Sequence, residues 1–324
     1  MPYQPETEFH VVAFLDGRPG HEKQTLGIVQ ALQEIVRVRI THVTLKKQSL
    51  FDTLLYSCAL FMPGVHFGGA MPGADDAHLL IGTGSHTHLP MLLAKKRNGI
   101  PVVTCMSPGR HLRKFFDLCF IPEHDGLHGA ENIIHTAGAP NMSKNRGMHE
   151  SNQGLILFGG IDEKSHHWDG KKIVAMVEEL IQNDDRLFWT ISSSPRTPDD
   201  TVNLLKKLDG KYPKIQFFDY RDTPDGWVEK QYDRCAVVWV TSDSISMIYE
   251  ALSAGCQVGI LPMIWKRKNC KFRRNEAMLV NRGLVRSFSG PGQPGDGRED
   301  TGGFNEAQRC ARIIAEKWWP NSLQ

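Results

Sequence analysis

The chain has 324 residues, of which 40% are hydrophobic and 23% charged, with 38 basic and 36 acidic side chains and a formal net charge of +2. That length exceeds what one hydrophobic core usually serves, so two domains are expected. So even a charge balance excludes a general polyanion binder, and any affinity for phosphate has to come from local clusters.

In chain order, His10 to Leu15 (HVVAFL) reads as a short buried strand ending in the turn signal DGRPG. Gln24 to Val36 carries a helical apolar stripe. Val38 to Leu45 alternates like a strand, Leu79 to Ile81 is a short strand ending in GTGSH, and Leu89 to Arg97 reads as a helix. Pro101 to Met106 and Leu118 to Ile121 are further strands, the latter ending at PEHDG. Gly138 to Gln153 is rich in turn formers and poor in apolar residues, so it reads as the connection between domains. The pattern then restarts. Leu155 to Phe158 is a strand ending in Gly159-Gly160, Gly170 to Gln182 a helix, and Leu187 to Ile191 a strand ending in SSSPRTP. Thr201 to Leu208 is a helix, and Ile215 to Phe218 and Cys235 to Val240 are strands, the second ending in TSDS. Met247 to Ala254 is a helix capped by Gly255, Gln257 to Leu261 a strand, and Asn305 to Trp318 a terminal helix. Near-continuous Val/Ile/Leu runs separated by helices predict parallel sheets covered on both faces. The expected fold is therefore α/β, with two Rossmann-like domains facing across a cleft. Their boundaries are 1–145 and 146–304, and 305–324 packs back on the first domain. Ligands of such sheets bind beyond the carboxyl ends of the strands, where this chain places its glycines, serines and histidines.

Seven cysteines, at 58, 105, 119, 235, 256, 270 and 310, form no CxxC pair, which favours reduced thiols in a cytosol over a disulfide framework or a zinc ribbon. The histidines of HTH (86 to 88), EHDGLH (123 to 128) and HH (166, 167) lack the convergence a metal needs; no metal and no cofactor is expected. The N-terminus has acidic residues before a short apolar run and no basic n-region, unlike a signal peptide. No stretch reaches the ~18 uncharged apolar residues of a membrane span. A cytoplasmic protein is expected, with peripheral contact at the inner face of the membrane left open.

Six segments carry candidate chemistry. Asp16-Gly17-Arg18-Pro19-Gly20-His21 joins a strand to a helix: its glycines let backbone amides approach a ligand, Arg18 adds charge, and His21 is a residue type that can serve as a general base. The same segment also reads as an ordinary βα turn. Thr241, Ser242, Asp243, Ser244 and Ser246 crowd hydroxyls and a carboxylate at a helix start, more than one cap requires; hydroxyls with free amides suit a diphosphate. Asp243 would repel phosphate, so it caps the helix or meets another part of the ligand. Glu250, two turns on, is placed to accept ribose hydroxyls or is simply solvated. Gly159 and Gly160, and Ser192 with Arg196, follow strands at the same sheet edge, and Arg196 can pair bidentately with phosphate. Trp265 to Arg274 (WKRKNCKFRR), which includes Lys266 and Arg273, is basic at six of ten positions and fits a diphosphate or an acidic acceptor. Ser49 to Phe67 is apolar and almost uncharged; a core helix is favoured over a lipid-facing one.

Taken together, DGRPGHEKQ, PEHDG, FGG, SSSPRTP and VTSDSISMIYEALSAG, in that order, resemble the mitochondrial-fission Elm-type family, whose plant members are linked to mitochondrial division and whose bacterial members are regarded as glycosyltransferases. The same elements are similar to the GT-B glycosyltransferases, notably the N-acetylglucosaminyltransferase that completes lipid II. The resemblance implies a nucleoside-diphosphate-sugar donor on the second domain, with Ser242, Ser244, Gly160 and Arg196 at the diphosphate, Glu250 at the ribose and His21 as base. It implies a saccharide or lipid-linked acceptor of the envelope, such as a lipopolysaccharide core, and no nucleic acid. WKRKNCKFRRNEA stands where those enzymes carry a sugar-contacting Asp/Glu-Gln or Gln-Gln pair. A non-catalytic scaffold binding a partner protein and a nucleotide-sugar epimerase are the other functions the resemblance admits.

Overall fold

The computed structural model describes residues 8–45, 49–62, 75–127, 129–268, 270–288 and 303–323. The chain divides into two compact units, Met1–Met142 with Glu306–Gln324, and Ser143–Asn305.

The first unit runs β1 (Phe9–Leu15), α1 (Pro19–Gln33), β2 (Val38–Thr44), α2 (Leu50–Phe61), β3 (Leu79–Thr83), α3 (Ser85–Asn98), β4 (Val102–Cys105), β5 (Leu118–Pro122) and β6 (Ile133–Thr136). Its strands form one parallel sheet in the order β2-β1-β3-β4-β5-β6. Successive side chains of β1 point to opposite faces. Val11 and Ala13 therefore join the core that includes Ile28 and Leu32 of α1, and Val12 and Phe14 join the core with Leu89 and Leu92 of α3. Because both faces are covered, every residue of β1 is buried, and the strand reads as an unbroken apolar run.

The second unit runs β7 (Glu150–Leu157), β8 (His166–His167), α4 (Gly170–Asn183), β9 (Phe188–Ser192), α5 (Asp199–Asp209), β10 (Ile215–Phe218), α6 (Trp227–Arg234), β11 (Cys235–Thr241), α7 (Ile245–Ser253), β12 (Gln257–Leu261), β13 (Ile264–Trp265), α8 (Lys271–Asn281) and β14 (Val285–Ser287). Its parallel sheet has the order β10-β9-β7-β11-β12-β14, and β8 and β13 form a separate antiparallel ribbon. A last helix, α9 (Glu306–Trp318), belongs to the first unit. Its Ala307, Cys310, Ala311, Ile314 and Ala315 are buried at helical spacing against α1, and Trp319 beyond it stacks on Phe9 at 4.4 Å.

In each sheet the strand order reverses beside the first strand, between β1 and β3 and between β7 and β11. Such a switch point opens a crevice at the carboxyl ends, where α/β sheets bind ligands.

Several elements differ from the sequence reading. Helix α1 starts at Pro19, not Gln24, because proline at the first helical position is preorganised for it. Helix α3 starts at Ser85 and ends at the left-handed Gly99. The run Trp265 to Arg274 is not one loop: its last four residues open α8. Strands β6 and β14, four and three residues of mixed character, are not predicted from the sequence.

The largest correction concerns α2. It packs against α3 through a face that buries only Ala59 and Leu60. Leu50, Phe51, Leu54, Leu55, Phe61 and Met62 are exposed, from 41% at Leu55 to 91% at Leu50. The core reading of this segment therefore fails for most of its large side chains; residues 63–67 lie outside the described residues. No described helix is long and apolar enough to cross a membrane.

Candidate functional site

The switch point of the second unit is built where the turn after β7 meets the turns after β9 and β11. Thr241 Oγ1, at the end of β11, accepts the Gly159 amide at 2.7 Å, and Asp243 Oδ2 accepts the Gly160 amide at 3.1 Å. The two carbonyls are held as well. Ser194 Oγ (2.6 Å) and Thr197 Oγ1 (2.5 Å) donate to Gly159 O, and Arg196 Nη1 donates to Gly160 O at 3.2 Å, with His166 Nε2 at 3.0 Å from the same oxygen. Only glycine fits. A Cβ on Gly159 would lie 2.2 Å from Asp243 Oδ2, and one on Gly160 1.9 Å from the Arg196 carbonyl oxygen.

Arg196 is the exposed member of this assembly. Its Nη2 sits 2.9 Å from Asp243 Oδ2 and donates to Ser244 Oγ at 3.2 Å; its side chain keeps 42% exposure while that of Asp243 keeps 1%. Ser244 is the N-cap of α7, but its side chain makes no capping bond, so the first-turn amides and their partial positive charge stay available beside the guanidinium. The buried Asp243 Oδ1 has no hydrogen-bond partner.

The sequence-selected residues thus divide. Arg196, Ser244, Gly159, Gly160, Thr241 and Asp243 come together. Asp243 does not cap the helix; it braces the Gly160 turn and orients Arg196. Ser242 is buried, and its Oγ accepts the Met263 amide at 3.1 Å. Ser192 turns inward and donates to the Ser193 carbonyl at 3.3 Å. Ser246 is exposed in the first turn of α7. Glu250 is buried on the same helix, close enough for its charge to act on the Tyr232 hydroxyl. Lys266 and Arg273 are exposed, and the Lys266 ammonium donates to the Glu163 carbonyl. Ser194, Thr197, His166 and Glu276 were not selected. The first two lie within SSSPRTP, so the motif was visible though their role was not. Glu276 accepts from Trp265 Nε1 at 3.1 Å and bonds Ser242; burial raises its pKa above the usual carboxylate value, against those bonds and the charge of Arg273. Nothing local in the sequence marks it.

At the switch point of the first unit, Gly17 takes a left-handed φ of +77° and its amide donates to Glu22 Oε1 at 2.9 Å. This turn aims α1 so that His21 Nδ1 lies 2.8 Å from Asp16 Oδ2. The Asp16 side chain is fully buried, and its Oδ1 accepts the Arg18 amide at 3.1 Å; the His21 side chain keeps 17% exposure. Gly84, which caps α3 with φ +94°, lies against the pair: a Cβ there would meet His21 Nδ1 at 2.3 Å. Nothing lies within 4 Å of a Cβ built on Gly17 or Gly20, and Arg18 is exposed. Below the pair His88 is driven down to about 4, first by burial and then by the charge of His21. A carboxylate that accepts from Nδ1 fixes one tautomer and leaves Nε2 as the base. Among the described residues no group of three His, Cys, Asp or Glu could hold a metal.

A family model described as mitochondrial fission ELM1 matches residues 19–318. The chain belongs to that family. Solved structures share its fold at low identity. A Listeria monocytogenes chain described as a candidate UDP-N-acetylglucosamine 2-epimerase is 13% identical, with 96% of each chain covered and a TM-score of 0.57. The UDP-GlcNAc 2-epimerase of Neisseria meningitidis, bound to UDP-GlcNAc, is also 13% identical, covering 95% of this chain and 99% of that one at 0.51. A glycosyltransferase of Rickettsia africae is 9% identical, covering 97% and 95% at 0.44. The family and the two-Rossmann, GT-B type fold class read from the sequence both hold. No curated protein matches the chain in sequence.

Proposed function

We propose that this ELM1-family protein is a glycosyltransferase that moves a sugar from a nucleoside-diphosphate sugar to a saccharide or lipid-linked acceptor of the cell envelope. The observation that carries the reading is Arg196. It is held by buried Asp243, yet its side chain stays 42% exposed at the start of α7, where no side chain caps the helix amides. A cation fixed in advance beside helix amides stabilises a diphosphate, and stabilises it further as it departs with the charge of the broken glycosidic bond. Arg196, Ser244 and the α7 amides would hold the diphosphate, with Gly159, Gly160, Thr241 and Asp243 as the rigid support beneath. Glu250 would accept ribose hydroxyls, and Lys266 and Arg273 would meet acidic groups of donor or acceptor. His21, oriented by Asp16, would take the proton of the acceptor hydroxyl at Nε2.

The second reading is an epimerase acting on a free nucleotide sugar. It is supported by the UDP-GlcNAc bound to the Neisseria meningitidis protein that shares the fold. The third is a partner-binding scaffold, favoured by the internal use of Thr241, Ser242 and Asp243. Incubation with UDP-, GDP-, ADP- and CMP-sugars separates all three. A transferase consumes the donor only when envelope saccharide or lipid extract is added. An epimerase forms the C2 epimer without acceptor. Neither product with any donor contradicts both enzymatic readings and leaves the scaffold.

A further inference from the structure

Helix α2 has two apolar faces, and only one is covered. At about 100° per residue, Leu50, Phe51, Leu54, Leu55, Cys58 and Phe61 fall within an arc of roughly 140°, and all of these, with Met62 just past the helix end, are exposed. Six of them are among the twelve large apolar side chains found exposed in all the described residues. Ala59 and Leu60 occupy the opposite side, against α3. The helix is not a frayed end. Ser49 and Asp52 close a full capping box at its start, and Lys96 donates to the Ala59 and Met62 carbonyls at its end, at 2.6 and 2.7 Å. An ordered helix presenting a continuous apolar stripe outward is an interaction surface.

The charge at its edge selects the occupant. Phe61, at the end of the stripe, packs against Phe115 at 5.7 Å and lies 6.4 Å from the His111 ring. Lys114 lies over Phe115, and Arg110, His111 and Lys114 are all exposed. The only carboxylate of α2, Asp52, is tied to Ser49 at the opposite end. A stripe that is apolar along its length and cationic at its rim matches an anionic bilayer, apolar below and negative at its surface. Twelve residues are too few to span it.

We propose that α2 lies in the interface of an anionic membrane, with Leu50, Phe51, Leu54, Leu55 and Phe61 immersed and Arg110 and Lys114 at the headgroups. This deepens the reading above, since a lipid-linked acceptor would be met at that surface, but it does not depend on catalysis.

The test is flotation of the full chain with vesicles of phosphatidylcholine alone or of phosphatidylcholine mixed with phosphatidylglycerol, which supplies the negative surface. The protein is expected to float with the anionic vesicles and several-fold less with the neutral ones. The double variant Phe51→Gln, Leu54→Gln, changed at exposed positions, is expected to lose flotation while keeping its melting temperature. Arg110→Gln with Lys114→Gln should reduce it several-fold and abolish its salt dependence. Equal flotation of wild type and the Phe51/Leu54 variant overturns the proposal. So does concentration-dependent dimerisation without lipid that this variant abolishes, which would make the stripe a self-interface. Nucleotide-sugar turnover in the same variant, with a water-soluble saccharide acceptor, separates failure here from failure of the transferase reading.

Discussion

At the switch point of the first unit, Gly17 and Gly20 face open space, while the Asp16–His21 pair is closely made against Gly84. At that of the second, Gly159 and Gly160 are pressed onto Asp243 and Arg196, and both their amides and both their carbonyls are engaged. The same sheet architecture therefore supports two kinds of site. One offers an open backbone turn with an oriented histidine, as the proposed proton transfer would require. The other offers a closed, rigid turn that fixes a cation beside a helix start, as the proposed recognition of an anion would require. The glycine pairs that look alike in sequence do opposite things: one leaves room, the other removes it.

That contrast breaks most readily at the glycines. Gly160→Ala is expected to destabilise the protein by about 3 kcal/mol or more in urea unfolding, because the added carbon meets backbone that cannot move aside. Gly20→Ala should be neutral, or stabilising by roughly 0.5–1 kcal/mol, since alanine favours the first turn of α1 and meets nothing. Similar losses at both positions would dissolve the distinction between an open and a closed turn.

Asp16→Asn sharpens it next. The variant should lower transferase kcat by about 100-fold, within the range general-base catalysis contributes, with KM for the donor within about twofold, because the change is confined to the proton-transfer site. Two-bond proton–nitrogen correlations of His21 should show Nδ1 protonated in the wild type and a mixture of tautomers in the variant. Unchanged tautomers would remove Asp16 from the role of positioning residue.

The smallest effect lies beneath His21. His88 titrates at about 4 in the folded protein and near 6.5 when unfolded. Its folded value is depressed, so the unfolded chain binds the extra proton, and the stability it contributes is complete above about 6.5 and lost as pH falls towards 4. Between pH 6.5 and 5 that loss is on the order of 1–2 kcal/mol, visible as a melting-temperature difference that His88→Gln should largely abolish.

Much of this was legible in the chain. Strands covered on both faces read as Val/Ile/Leu runs, and strand ends announce themselves by turns, so the fold class, Arg196 and the TSDS segment could be found. What is set by tertiary contact could not. Gly84 is 63 positions from His21, and Asp243 lies 83 from the Gly160 amide it accepts. A hydroxyl at a helix start looks the same whether it meets a guanidinium, like Ser244, or a backbone amide distant in sequence, like Ser242. For α2 the apolar content was visible but not its direction, since an all-apolar helix satisfies a core and a membrane surface alike.

The central claim, that the start of α7 with Arg196 is built for a diphosphate, is tested most directly by titrating UDP, GDP and ADP into wild-type protein and Arg196→Ala by calorimetry. Wild type should bind at least one of them, with uridine or its counterpart nucleoside far weaker, and the variant should lose about 30-fold in affinity, equivalent to roughly 2 kcal/mol for charge-assisted hydrogen bonds. No binding of any nucleoside diphosphate at millimolar concentration, or equal affinity in the variant, would contradict it.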